Sequence, residues 1–210
     1  MNDPFSDARA GEDDAGGPVE GRAGTRAVAF QGARGAYGDL AIDRLWGEAT
    51  PRQGCRDFAG VLAAVQRGEA GAGVLPVHNA IVGDIPGVDE AIRRSGLRRV
   101  GEVTVPVRHC LLALPGSELG EVRLVFSHPV ALAQCGAFFA RHPHLRACES
   151  YDTAGAAREV AARRSPTEGA IAAEGCAARY GLVILARDVG DRLDNWTRFA
   201  VVVQAGAPQR

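Results

Sequence analysis

The strongest constraint on this chain is its repeated alternation of short apolar segments with amphipathic ones. An apolar run at 27–30 feeds a predicted helix over 39–48. From Asp57, the apolar residues Phe58, Val61, Leu62 and Val65 fall at i, i+3, i+4 and i+7, the stripe of a core-facing helix. Gly71-Ala72-Gly73 is predicted to break the chain before a strand at 74–77, and a helix follows near 87–95. A long alternating stretch spans 103–114. Then come strand 123–126 with helix 129–141, strand 145–150 with helix 153–164, and strand 169–172 with helix 174–180. Strands at 183–186 and 197–203 complete the set. Strands alternating with helices imply an α/β fold with mostly parallel sheets. The 103–114 stretch divides two similar series of units, which suggests two lobes with a cleft between them. The expected folded region is 26–204: one lobe from about 26 to 102 plus a C-terminal return segment, and a second from about 103 to 190.

Composition narrows the chemistry. Residues 1–25 hold five glycines, six acids and few large apolar side chains, and read as a disordered tail, with a short second tail at 205–210. The 24 basic residues are all arginine, so any mechanism needing a lysine amine is excluded within these 210 residues. A net charge of −1, with arginines interspersed among acids, does not fit a nucleic-acid partner. No apolar run approaches the ~20 residues of a membrane span, and the acidic N-terminus lacks the form of a secretory signal. Five widely spaced cysteines without C-x-x-C read as reduced thiols, which places the chain in the cytoplasm. His142, His144 and Cys148 lack a second ligand pair, so no metal site is expected.

The polar residues of interest stand at strand ends, where open α/β sheets place ligands. Gly32-x-x-Gly35-x-x-Gly38 joins a strand to a helix. It lacks the dinucleotide spacing, yet such a loop can offer backbone N–H groups to a small anion, or can simply be a tight turn. Ser127-His128-Pro129 begins a helix, with Ser127 suited to the N-cap and Pro129 to the first turn. Gln134 returns to the same face two turns later, a polar residue in a largely apolar segment. Asn79 lies just past a strand, and Asn195-Trp196-Thr197-Arg198-Phe199 leads into the last one.

In order, these segments resemble the prephenate dehydratase family. The resemblance rests on Gly35 to Gly38, Pro76-Val77-His78-Asn79-Ala80-x-x-Gly83, Ser127-His128-Pro129-x-Ala131-x-Ala133-Gln134-Cys135, Asp152-Thr153-Ala154-x-Ala156-Ala157 and Asn195-x-Thr197-Arg198-Phe199. It covers about residues 27–204. It implies a two-lobed fold similar to type II periplasmic binding proteins, with a prephenate-like dianion in the interlobe cleft and no cofactor or metal. The implied reaction is a carbon–oxygen lyase step of phenylalanine biosynthesis: prephenate loses its ring carboxylate as CO2 and its C4 hydroxyl as water, giving phenylpyruvate. By similarity Thr197 is the catalytic residue, hydrogen-bonding the departing hydroxyl. Asn79, Ser127 and Gln134 are neutral donors to the substrate, and Ala36 and Phe199 are wall residues. Arg198, Arg34 or a protonated His78 would counter its charge; Arg198 could instead brace the Thr197 strand, or equally form an interlobe salt bridge.

The sequence departs from the family at three motifs. G-T-[FY]-S becomes Gly35-Ala36-Tyr37-Gly38, E-N-S becomes His78-Asn79-Ala80, and S-T-A becomes Asp152-Thr153-Ala154, so hydroxyls are lost and a carboxylate is added. These departures leave two other readings: a prephenate decarboxylase that releases CO2 without aromatisation, and a non-catalytic module binding small anions. The family's regulatory ACT domain is not expected within this chain. A homodimer is compatible with the family's dimers and tetramers.

Overall fold

The computed structural model describes residues 26–206, so the tail expected over 1–25 and most of that over 205–210 lie outside the described residues. The described residues form two mixed sheets. The first contains β1 (Ala27–Gln31), β2 (Arg52–Cys55), β3 (Ala70–Asn79), β4 (Gly83–Asp84), β5 (Arg98–Pro106) and β11 (Trp196–Val203). Its order is β2-β1-β3-β11-β5, with β4 hairpinned on β3. The second contains β6 (Cys110–Ala113), β7 (Leu124–Ser127), β8 (Arg146–Glu149), β9 (Glu168–Ala172) and β10 (Val183–Ala186), in the order β10-β6-β9-β7-β8.

The expectation of mostly parallel sheets needs correction. β1 runs parallel to β2 and β3, and β7 parallel to β8 and β9. However, β11 is antiparallel to both β3 and β5, and β6 is antiparallel to β9 and β10. The stretch expected to alternate from 103 to 114 is split: β5 belongs whole to the first sheet and β6 to the second. The lobe boundary therefore falls after Pro106, not at 103. The glycines at 71 and 73 do not break the chain, because β3 runs through them. A Cβ on Gly73 would sit 3.0 Å from Val61 and Val65 side-chain carbons, so its smallness lets the helix α2 (Phe58–Gln66) lie close on the strand.

The other helices are α1 (Tyr37–Trp46), α3 (Val88–Ser95), α4 (Pro129–Ala133), α5 (Gly136–Arg141), α6 (Thr153–Arg163) and α7 (Gly175–Tyr180). The period-2 pattern divides the core. Val28, Phe30, Val74, Phe199 and Val201 face one way and join Ala154, Ala157, Val160 and Cys176 of the second lobe in a shared apolar cluster. Ala29, Leu75, Ala200 and Val202 face the opposite way, onto α2 and α3. The second lobe has its own far-side core around Leu111, Val125, Phe138 and Ile171. No described helix is long and apolar enough to cross a membrane.

The single helix expected over 129–141 is two. Asp191 accepts from Gly136 N and Ala137 N at 2.9 Å, and its own N donates to Gln134 O at 2.7 Å. That cap starts α5 afresh and leaves Gln134 at the break, so its direction is set by the cap and not by helical periodicity.

Candidate active site

A cavity of about 480 Å³ opens between the lobes, a size suited to a small molecule. Its lining includes Ala36, Tyr37, Asn79, Val82, Asp84, His109, His128, Gln134, Asp152, Thr153, Thr197 and Phe199. Of the residues expected at the site, Thr197, Asn79, Gln134, Ala36 and Phe199 are brought together. Ser127, Arg198, His78 and Arg34 do not line the cavity.

A bulge in β3 decides which residues face inward. Thr197 pairs with Asn79 and Arg198 with His78, but Phe199 pairs with Pro76, so Val77 is the extra residue. Val74 and Pro76 line the cavity, and the bulge then hands the inward position to Asn79 where plain alternation would have chosen His78. Proline is tolerated beside a bulge because it has no ladder N–H to offer. His78 instead stacks on Trp196, with centroids 5.4 Å apart, and its Nδ1 lies 2.7 Å from Asp84.

Arg198 has the opposite parity to Thr197 along β11. Its Nε lies 3.3 Å from Glu102 on the neighbouring strand, which corrects the expectation that it meets substrate. Arg34 is likewise engaged, 3.1 Å from Asp39. Ser127 is fully buried and donates its hydroxyl to Ile171 O at 2.6 Å. It is not the N-cap of α4 either. That role falls to His128, whose Nδ1 accepts from Val130 N, leaving its Nε2 side to the cavity.

Several of the glycine loop's backbone donors are already taken, while Ala36, Tyr37 and Gly38, at the start of α1 that no side chain caps, line the cavity. Gly32 N donates to Cys55 O, Ala33 N to Asp152 Oδ2 at 2.9 Å, and Gly35 N to Asp39 Oδ2 at 2.7 Å. The loop is also a docking element between lobes. Gly35 has φ +91°, and a Cβ there would sit 2.7 Å from Cys176 Sγ. Tyr180 OH donates to Arg34 O from the second lobe at 2.5 Å. Asp39 is fully buried, and the ion pair it forms with buried Arg52 at 2.9 Å ties α1 to β2.

Asp152, the carboxylate added at the family's S-T-A, caps α6 by accepting from Ala154 N and Gly155 N while also receiving Ala33 N. Burial raises its pKa against the pull of those three donors and of His128. Both of its oxygens are thus engaged by backbone N–H groups.

A connected line of side chains borders the cavity. Asn79 Nδ2 lies 2.9 Å from each of Thr197 Oγ1, Asn195 Oδ1 and Trp196 O, while its Oδ1 accepts from Ile81 N and Val82 N. Asn195 Nδ2 donates to Gln134 Oε1 at 3.1 Å, and His109 Nε2 stands 3.1 Å from the same oxygen. Asn79 is therefore engaged on both ends of its amide. It is placed to hold Thr197, in contrast to the expectation of a donor free for substrate. Receiving Asn79's N–H leaves the Thr197 hydroxyl proton available to the cavity.

Tyr37, His128 and Thr153 stand in motifs singled out by sequence but carried no role there, and His109 was not singled out at all. His109 was still the most legible of the four, a histidine inside an otherwise apolar alternating stretch. Burial lowers the pKa of His109 against its bond to Gln134, and lowers that of His128 against the nearby carboxylates of Asp152 and Glu149. Both imidazoles are held toward neutrality. Among the described residues no guanidinium lines the cavity. Among the described residues no group of three or more His, Cys, Asp or Glu could hold a metal ion.

Against known proteins, the family model for prephenate dehydratase matches residues 28–207. This chain belongs to the prephenate dehydratase family. The family member is 40% identical over 179 residues to an Arabidopsis thaliana protein named arogenate dehydratase/prephenate dehydratase 2, chloroplastic, covering 84% of this chain and 46% of that relative. It superposes with TM-score 0.78 and 33% identity on a prephenate dehydratase from Arthrobacter aurescens solved in complex with L-Phe, covering 88% of this chain and 62% of that one. A structure described as GqqA, a novel type of quorum quenching acylase, matches with TM-score 0.77 and 37% identity, covering 87% and 66%. The prephenate dehydratase-like chain spans about half the length of the curated relatives it matches.

Proposed function

We propose that the cavity carries out decarboxylating dehydration of prephenate. The electron pair of the bond to the ring carboxylate passes into the ring as CO2 departs. The C4–O bond breaks, the oxygen takes up a proton and leaves as water, and phenylpyruvate remains. Aromatisation supplies most of the driving force, so the protein need only hold the acid and assist the departing hydroxyl.

The observation that carries this reading is the Thr197 hydroxyl at the cavity wall, fixed by Asn79 at 2.9 Å with its proton left free. A threonine is too weak an acid to protonate the oxygen early. It stabilises the developing charge by hydrogen bonding while the net proton comes from solvent. The substrate's carboxylates meet neutral donors from Gln134, His128 and Thr153 in place of arginine.

A second substrate is favoured by one feature. Asp84 lines the cavity with an exposed carboxylate, His78 Nδ1 lying 2.7 Å from its Oδ1, and an ammonium group on the substrate's side chain suits the remaining Oδ2. Arogenate, the amino-acid counterpart of prephenate, carries one. Incubation with each compound at neutral pH, beside a no-enzyme control for acid aromatisation, tests both. Phenylpyruvate from prephenate supports the first substrate and phenylalanine from arogenate the second. CO2 release without an aromatic product, or no turnover of either, overturns the reading.

A further inference from the structure

The direction of the side-chain line along the cavity is set by two backbone groups. Ile81 N and Val82 N both donate to one end of the Asn79 amide, which must therefore be its oxygen. Its nitrogen then faces Asn195 and can meet only Asn195 Oδ1, so Asn195 Nδ2 is turned to Gln134. That donor in turn requires Gln134 to present Oε1, and the Gln134 NH2 is left pointing into the cavity with no partner among the described residues. Because Gln134 presents an oxygen to His109, the proton between them sits on His109 Nε2. On the ring's other side, Nδ1 is left as the acceptor nitrogen and lies 3.1 Å from Tyr37 OH, whose single proton is shared with Arg108 O, 2.8 Å away. From Asn79 to His109 each polarity follows from the one before it, starting at backbone groups that cannot flip.

We propose that His109 is a positioning residue of this site, held as its Nε2–H tautomer between Tyr37 and Gln134 so that Gln134 presents its NH2 to the substrate. His109 is 4% exposed and stands in the crossing between lobes, where Val189 N bonds its carbonyl and Val107 N bonds Asn195 O. The two donors that clamp Gln134 Oε1 therefore come from the two chain segments that cross between lobes, so Gln134 is oriented by the hinge and not by its own short helix. An acid held without an arginine needs each neutral donor aimed correctly, since a reversed amide would set an oxygen against a carboxylate. The substrate half of this inference rests on the dehydratase reading; the tautomer half does not.

The test has two arms. Nitrogen-15 NMR of the ligand-free chain at neutral pH, with His109 assigned by its loss in His109→Gln, should show one imidazole protonated on Nε2 alone, and Tyr37→Phe should disturb its Nδ1 signal. Protonation on Nδ1, or on both nitrogens, overturns the proposal. In kinetics, His109→Leu should lower kcat/KM between about tenfold and a hundredfold, the scale of one hydrogen bond to an ionic oxygen. His109→Gln should recover most of that loss by restoring an N–H. The double variant with Gln134→Leu should be no worse than Gln134→Leu alone. Additive losses, or a normal His109→Leu, overturn the positioning role while leaving the dehydratase reading intact. A chain that turns over neither prephenate nor arogenate removes that reading, and the NMR arm then decides the tautomer by itself.

Discussion

Asn79 and Thr197 are direct partners across the antiparallel pair β3–β11, and Asn79 Nδ2 lies 2.9 Å from Thr197 Oγ1. The relationship makes Asn79 the support of the Thr197 hydroxyl, which is proposed to be catalytic. Thr197→Ala should lower kcat by on the order of a hundredfold or more, the usual contribution of a positioned proton donor, with KM changed only a few-fold. Thr197→Ser should keep much of the rate. The Asn79→Ala/Thr197→Ala pair should be no slower than Thr197→Ala alone. The rate of aromatic product formation reads all three, and equal turnover by Thr197→Ala would remove the residue from the mechanism.

Arg198 follows Thr197 in sequence yet points away from the cavity and pairs with Glu102. The ion pair is substantially exposed, so it contributes little to stability. Arg198→Ala should therefore leave kcat/KM within about threefold of the parent, a small effect for an arginine next to the proposed catalytic Thr197. Loss of substrate affinity by two orders of magnitude would show instead that the guanidinium reaches the ligand.

The fully buried pair Asp39–Arg52 holds the glycine loop, because Asp39 also accepts from Gly35 N and Arg34. Removing Arg52 leaves the buried Asp39 Oδ1 without its partner and without water. Arg52→Met should cost about 3–5 kcal/mol, read from urea unfolding, whereas changing both residues to apolar ones of similar volume should restore part of the loss. A single variant as stable as the parent would contradict the buried pairing.

His109 and His128 supply an acid sensitivity. Burial holds both imidazoles below the ordinary value of 6.5, so the unfolded chain takes up these protons first. Their contribution to stability is complete above pH 6.5 and is lost as pH falls from there through the lowered native values. Denaturant midpoints measured from pH 7.5 down to 5 should decline, and the decline should be shallower in His109→Gln and His128→Gln. Identical pH slopes in parent and variants would mean that neither histidine is held neutral.

Much of the architecture was legible because the two periodicities report burial directly. The Phe58, Val61, Leu62, Val65 stripe is a helix packed on a sheet, and the apolar runs at 27–30, 169–172 and 183–186 are strands. The parallel or antiparallel sense of the sheets was not legible, since a strand buried on both faces reads the same whichever way it runs. Nor was the split at Gln134, because the cap that makes it comes from Asp191, 57 residues away in the chain.

The same division holds at the site. The motif around Thr197, Asn79 and Gln134 was readable by itself, because residue types in order are what a family shares. So was the absence of lysine, which confines cationic chemistry to arginine and histidine. Which of these residues meet a ligand was decided only in three dimensions. A one-residue bulge turns Asn79 inward and His78 out, strand parity sends Arg198 to the far face, and Ile171 takes the Ser127 hydroxyl. Sequence determines which hydrogen-bonding groups a chain possesses. Whether a given group is free depends on what the fold brings within about 3 Å of it, and a buried donor or acceptor is satisfied by the nearest partner whatever its distance along the chain.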